Sequence, residues 1–432
     1  MAPELTVEQQ EVFRLIESGR DHVFVTGRAG TGKSTLLNHL AWHSEKQLVI
    51  CAPTGVAALN VGGQTIHSLF RLPIGVIADH ELDQPRALRS LLNTIDMLVV
   101  DEVSMVDADL LDAVDRSLRQ ARQRAAEPFG GVQVVLFGDP YQLAPVPGRD
   151  PAARAYFADA YRSRWFFDAH VWSETTLRIV ELSQVHRQSE REFTDMLDAV
   201  RHGRVTKEIA DRLNTVGARP APTDGTITLA TRNDAVRRIN RRRLEGLSGP
   251  LLTAEAEIDG DFGSRAYPAE TTLELKEGAQ VMFLRNDTAP GAEPPRWVNG
   301  TVGTVVKIDR NVVVEVEGQD HEVEPAVWER YRYSYDAAQK KLTKDVVAEF
   351  RQFPLRLAWA VTIHKSQGKS YDAAVIDLGA RAFSPGQTYV ALSRLTRLDG
   401  LYLTRALRPS DVTVDRDVER FMTARRAASP AG

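Results

Sequence analysis

The chain has 432 residues, 43% hydrophobic and 26% charged, enough to bury a sizeable core and to form two or three domains rather than one. Its 54 basic and 58 acidic side chains leave a net charge of −4, so a nucleic-acid partner has to be argued from local placement and not from a global field. No run reaches the roughly 18 uninterrupted apolar residues of a membrane span, and MAPELTVEQQ lacks both regions of a secretion signal; the expectation is a soluble, cytoplasmic, bacterial-type and nucleoid-associated protein.

The first half alternates short apolar runs with helical spacing, the pattern of a parallel sheet with crossover helices. Strands are expected at His22–Thr26, Gln47–Ala52, Ile95–Val100 and Val132–Phe137. Helices are expected at Lys33–Trp42 and Asp107–Arg124, the second carrying the apolar stripe Leu110, Leu111, Val114, Leu118. Cys51, the single cysteine, closes the run Leu48-Val49-Ile50 and reads as a small core residue. Beyond the proline-rich stretch Ala144–Pro151, a helix around Glu190–Arg201 and a strand at Thr226–Ala230 open a second α/β lobe. From about Thr271 to Val323 the texture turns to short β runs with the turn signal Asn299-Gly300, as in a small β-barrel inserted into that lobe. Helices and strands resume near Leu355.

Gly27-Arg28-Ala29-Gly30-Thr31-Gly32-Lys33-Ser34 lies after a strand and before a helix, where a P-loop belongs. Its glycines turn backbone N–H groups toward phosphate, and the helix start adds a positive dipole end. Lys33 would neutralise the β- and γ-phosphates of ATP, and the Ser34 hydroxyl would bind Mg²⁺. Asp101-Glu102 follows the strand Ile95–Val100 as a metal-holding carboxylate and a water-orienting one should. Arg187 and Arg394, both in the second lobe, are candidates for the positive charge that phosphoryl transfer needs at the γ-phosphate. A small-molecule kinase explains the P-loop and nothing after residue 150.

In this order, LTVEQQ (5–10), CAPTGVAALNVGGQTIHSLF (51–70), DEVSMVDADLLDAVDRSLRQ (101–120), GDPYQLAPV (138–146), RWVNGTVGTV (296–305), VTIHKSQGKS (361–370) and YVALSR (389–394) closely resemble the PIF-one helicases, superfamily-one DNA helicases that move 5′ to 3′. The resemblance implies an α/β fold of two RecA-like lobes, the first over 1–180 with a wedge insertion at about 71–92. The second would run over 181–290 and 353–432, with a Src-homology-like barrel at 291–352. It assigns Gln9 to adenine, and Gly27, Gly30, Thr31, Gly32, Lys33, Ser34 and Thr35 to the nucleotide. Ser34 and Asp101 go to the metal, Glu102 to water, Gln142 to the γ-phosphate, and Arg187 and Arg394 to the two arginine fingers. It implies DNA-stimulated ATP hydrolysis and unwinding, with G-quadruplexes and RNA–DNA hybrids as further substrates. His186 stands where the family usually has an aromatic residue, and Pro140 and Ala144 where Phe and Pro are common.

A motor must hold a strand with donors that can let go. Pro53, Thr54, Thr65 and His67 in the first lobe suit this, as do Thr362, His364 and Lys365 in the second. The expected partners are single-stranded DNA and forked or tailed duplex, gripped by a monomer. Gln367 and Gly368 would face the γ-phosphate, which makes VTIHKSQG a link between two sites rather than a catalytic triad. The arginine run 237, 238, 241–243 reads as a solvated helix face, and Trp297 and Trp328 as core at least as much as base-stacking platforms.

Overall fold

A computed structural model describes residues 5–428, except 74–75, 78–81, 83, 146–150, 185–189, 223–224, 264–266, 288–295, 310 and 337–340. The first lobe comprises α1 (Val7–Ser18), β1 (His22–Gly27), α2 (Lys33–His43), β2 (Leu48–Ala52), α3 (Gly55–Asn60), β3 (Gln64–Thr65), α4 (Ile66–Phe70), α5 (Arg86–Thr94), β4 (Met97–Val100), α6 (Ala108–Arg122), β5 (Gln133–Phe137), α7 (Pro151–Ala160) and β6 (Leu177–Leu182). Its six strands are all parallel, in the order β3-β2-β4-β5-β1-β6. Every residue of β1, β4 and β5 is buried, because helices cover both faces of a parallel sheet.

The chain continues through α8 (Arg191–Arg201), α9 (Lys207–Gly217), β7 (Ile227–Ala230) and α10 (Asn233–Glu245). An antiparallel block follows: β8 (Leu252–Glu255), β9 (Glu257–Gly260), β10 (Thr272–Leu275), β11 (Gln280–Phe283), β12 (Val302–Ile308), β13 (Val312–Val316), β14 (Gln319–Val323), β15 (Ala326–Asp336), β16 (Lys341–Gln352) and β17 (Leu355–Leu357). Then β18 (Ala360–Thr362), β19 (Ala374–Asp377), α11 (Gln387–Leu392), β20 (Leu401–Leu403) and α12 (Arg416–Ala428) complete a second parallel sheet, ordered β18-β7-β19-β20. The molecule is thus α/β, with two parallel sheets and an antiparallel insertion between α10 and β18.

The expected strands and helices of the first half lie within a residue or two of β1, β2, β4, β5, α2 and α6. All four residues of the predicted α6 stripe are buried. Cys51 is fully buried in β2, where loss of water pushes its thiol well above the usual value. Inside the insertion, β11, β12, β13 and β17 share one sheet, and Trp297 stacks on Phe283 with ring centroids 4.4 Å apart. Trp328 packs in a separate cluster with Phe262 and Phe350. Both tryptophans are therefore core residues.

The hairpin of β15 and β16 forms a separate sheet with β9 and reaches the first lobe, where β15 packs against α5. Gln64 Nε2 donates to the Tyr331 carbonyl at 2.6 Å, and an Arg330 guanidinium N–H donates to Ser68 Oγ at 3.1 Å. No helix among the described residues is long and apolar enough to cross a membrane. Parts of the wedge expected over 71–92 lie outside the described residues; within it, Leu88, Leu91 and Leu92 of α5 are buried in the first-lobe core.

Candidate nucleotide site and strand-facing grooves

The P-loop joins β1 to α2, and Gly32, at φ +79°, takes the position before the helix. A side chain there would collide with Gln9, since its Cβ would lie 2.2 Å from Gln9 Nε2. Gln9 itself is fixed by a capping box: its Oε1 accepts from Thr6 N–H at 3.0 Å, and Thr6 Oγ1 accepts from Gln9 N–H at 3.2 Å. Its Nε2 reaches back to the carbonyl of Gly32 at 3.2 Å. Lys33 Nζ donates to the carbonyls of Gly27 and Arg28 at 2.7 and 3.1 Å. A cleft of ≈ 610 Å³ is lined by Gln9, by Gly30 through Thr35, and by Glu102, Gln142, Gly368 and Arg394. The two lobes therefore both contribute to its wall.

Asp101 directly follows β4, with its N–H bonded to the Cys51 carbonyl at 2.9 Å. Glu102 follows in the left-handed region at φ +49°, a strained position for a residue with a side chain. Burial and the adjacent Glu102 push the Asp101 carboxyl up to about 7. Burial also raises Glu102, against the pull of Lys33 and Arg394. Ser34, Asp101 and Glu102 line a second cavity of ≈ 620 Å³ that runs on toward Arg285 and Lys369 under the insertion. One hydroxyl and one carboxylate whose charge is disfavoured without a counter-ion form a donor set that suits a hard divalent cation completed by phosphate oxygens.

From the second lobe, Arg394 enters at 1% exposure, its Nε donating to the Val390 carbonyl at 3.0 Å. Further N–H groups hold the carbonyls of Ser366 and Lys369 at 3.4 and 3.3 Å. Burial pulls its pKa below the ordinary guanidinium value. Gln367 Nε2 donates across the cleft to Gln142 Oε1 at 3.4 Å. Ser366 is fully buried and donates to the Ile363 carbonyl, so His364, Lys365 and Ser366 do not converge on one target. Arg187 and His186 lie outside the described residues.

The sequence pattern did not single out Asp139, Arg201 or Tyr389. Asp139, in the loop after β5, accepts from Arg201 at 3.0 Å and from the Tyr389 hydroxyl at 3.2 Å. That hydroxyl in turn accepts from the P-loop N–H of Ala29 at 3.0 Å. Arg201, 1% exposed, also binds Glu181 on β6 at 3.1 Å and lies over the Tyr141 ring. Burial raises the Asp139 carboxyl, but the Arg201 charge and then Lys33 outweigh it and hold the group below the usual range. Asp139 sits in GDPYQLAPV and Tyr389 in YVALSR, so their motifs were visible. Arg201, at the end of an amphipathic helix, carried no signal.

The expected strand contacts fall in two grooves. Pro53, Thr54, Thr65 and His67 line one of ≈ 640 Å³, whose far wall is Phe262, Gly263 and Arg330 of the insertion. Thr362 and Lys365 line another of ≈ 930 Å³ beside α10. Thr54 Oγ1 accepts from Ala57 N–H, Thr65 Oγ1 from Ser68 N–H and Thr362 Oγ1 from Lys365 N–H. Each hydroxyl keeps its own proton to donate to a phosphate. Burial lowers the pKa of both His67 and His364, which favours neutral imidazoles. His364 is half-buried in the turn after β18 and lines neither groove.

The profile of the PIF1-like helicase family matches residues 4–211. The ATP-dependent DNA helicase Pif1 of Bdellovibrio bacteriovorus is 34% identical over 97% of this chain and 91% of its own length. The rat ATP-dependent DNA helicase PIF1 is 36% identical over 92% of this chain, which spans only 61% of that protein. Bacteroides Pif1 in complex with ADP-AlF4 superposes with a TM-score of 0.91 at 35% identity, covering 99% of this chain and 98% of its own. Pif1 helicase from Bacteroides in complex with ADP-AlF3 and single-stranded DNA gives 0.71 at 36% identity, with 98% of each chain covered. Agreement in sequence and fold over nearly the full length settles descent: the chain belongs to the PIF1-like helicase family.

Proposed function

We infer that the chain is an ATP-dependent DNA helicase that hydrolyses ATP between its two lobes and moves along single-stranded DNA. The observation that carries this is the composite cleft. Lys33 and Glu102 of the first lobe and Arg394 of the second line one cavity, and Gln367 bonds to Gln142 across it. A nucleotide held there contacts both lobes, so hydrolysis changes how they meet. The Bacteroides relative with single-stranded DNA and a nucleotide analogue supports the same pair of ligands.

Lys33 binds the β- and γ-phosphates, Glu102 orients the attacking water and takes its proton, and Gln142 contacts the γ-phosphate. Arg394 stabilises the charge of the transition state. Arg187 is assigned to a second finger by its motif alone. Gln9 closes the adenine end. Ser34 and Asp101 would hold Mg²⁺, which would supply positive charge against the phosphate groups. Thr54, Thr65, His67, Thr362 and Lys365 contact the strand backbone, and His364, which lines neither groove, is assigned to it by its motif alone. The division into two lobes, wedge and inserted barrel belongs to the same reading. So does monomeric ATP hydrolysis, since one chain supplies both walls of the cleft.

The test is an unwinding assay on 5′-tailed and 3′-tailed duplexes, beside ATPase rates with and without single-stranded DNA. Separation of the 5′-tailed duplex and DNA-stimulated hydrolysis are expected. Hydrolysis indifferent to DNA would overturn the motor reading. A quadruplex and an RNA–DNA hybrid in the same assay decide the wider substrate range.

A further inference from the structure

Tyr389 and Arg394 are carried by one short element, α11 and the turn that follows it. Every residue of α11 is buried, and Arg394 Nε bonds the Val390 carbonyl one turn back at 3.0 Å, so the guanidinium moves with the helix. Among the described residues its other N–H bonds go to Ser366, Lys369 and Ser393, all in the second lobe. Tyr389 is where α11 bonds to the first lobe: its hydroxyl takes the Ala29 N–H at 3.0 Å and gives its own proton to Asp139 at 3.2 Å. Asp139 is itself pinned by Arg201 at 3.0 Å. At the start of α11 a Cβ on Gly386 would come within 2.5 Å of the Tyr141 and Gln142 carbonyls, so the helix has no slack against that lobe. Ala29 and Arg394 line the same nucleotide cleft.

We propose that Tyr389 is a positioning residue: by holding the P-loop at Ala29, it sets the distance between the γ-phosphate and the Arg394 guanidinium. The inference rests on the finger role given to Arg394 above and deepens it. A finger contributes only where its N–H groups meet the charge of the transition state, and a misplacement of about 1 Å costs about 10²-fold in rate. A buried tyrosine that served packing alone would need one partner for its hydroxyl. This one spans a backbone N–H of the loop that wraps the phosphates and a carboxylate that also feels the Lys33 charge. Burial and the Asp139 charge hold the phenol well above its usual pKa, so the proton stays on the hydroxyl and both bonds keep their direction. Phenylalanine would fill the same space and release the P-loop.

A double-mutant cycle provides the measurement. Single-turnover hydrolysis of ATP by the full chain gives the rate per nucleotide site, with sites counted by ADP titration so that any unfolded chain drops out. Tyr389→Phe is expected to lower that rate by roughly 10²-fold and to weaken binding of ADP-aluminium fluoride by a similar factor, with ADP itself bound as by the unaltered chain. In an Arg394→Ala background the same change is expected to cost almost nothing more, since no finger remains to be misplaced. An unchanged rate in Tyr389→Phe overturns the proposal. So does an equal loss in both backgrounds, or a parallel loss of ADP affinity, which a merely structural role would give. Full activity of Arg394→Ala removes the finger role itself and this inference with it, which separates the two failures.

Discussion

Tyr389 is placed where one hydroxyl serves two masters, accepting from the P-loop N–H of Ala29 and donating to Asp139. Tyr389→Phe strips both bonds from a buried site while keeping the ring. The expected cost is about 1–3 kcal/mol, read as a lower thermal midpoint without gross loss of fold. Arg394→Ala should reduce kcat by roughly 10³-fold or more with nucleotide affinity changed far less, as measured by single-turnover hydrolysis beside analogue binding. A drop under about tenfold would remove Arg394 from the transition state. The P-loop, Asp101, Glu102 and Arg394 were legible in the sequence because each occupies a fixed offset from a strand or helix end. Arg201 was not, because its role arises only when α8 meets the loop after β5. The local string MLDAVRHG contains nothing of that encounter.

Secondary elements show a similar divide. The buried strands of the first sheet were readable as apolar runs bounded by turn signals. The β15–β16 hairpin was not, since Tyr331, Arg330 and Glu329 interrupt any apolar alternation, and the bonds of Tyr331 and Arg330 to Gln64 and Ser68 arise only where the hairpin meets the first lobe. The α10 arginines were read as a solvated face. They are indeed exposed, yet their direction relative to β17 and β18 gathers three of them into one groove. The segment after Asp101-Glu102 has a structural role. Asp109 accepts from Ile77 N–H, Asp112 from the Tyr161 hydroxyl and the N–H groups of His170 and Val171, and Asp115 from Phe129 N–H. The acids of α6 therefore brace loops rather than perform chemistry.

At the joint between the VTIHKSQG segment and the insertion, Lys369 is pushed down to about 7 by burial and by the charges of Arg356 and Lys365. In the unfolded chain the same amine stays protonated up to about 10.4. Between those values the unfolded state binds the extra proton, so stability contributed by this site rises with pH. Below about pH 7 the folded chain carries the full penalty. Lys369→Met should therefore raise the thermal midpoint most at pH 7 and below, and the difference should fade as pH approaches 10. A constant difference across that range would reject the assignment.

Across the whole molecule, the lobes meet through contacts of very different strength. Gln367 and Gln142 share one long, uncharged hydrogen bond. Arg201 instead sits almost sealed from water between Asp139 and Glu181, both on the first lobe. Arg201→Met would leave the Asp139 carboxylate buried and unmatched, at a cost of about 3–5 kcal/mol; denaturant unfolding should register it as loss of the junction between lobes. Gly386 tightens the same junction, since a Cβ there would come within 2.5 Å of the Tyr141 and Gln142 carbonyls.

A joint that is dear to break but buried at one spot behaves as a fulcrum. Were Asp139 and Arg201 to stay paired while the lobes shift, the lobes would turn about that spot, and displacement would grow in proportion to distance from it. Small changes in how ATP is gripped would then be geared into larger travel at whatever surface lies farthest from the fulcrum.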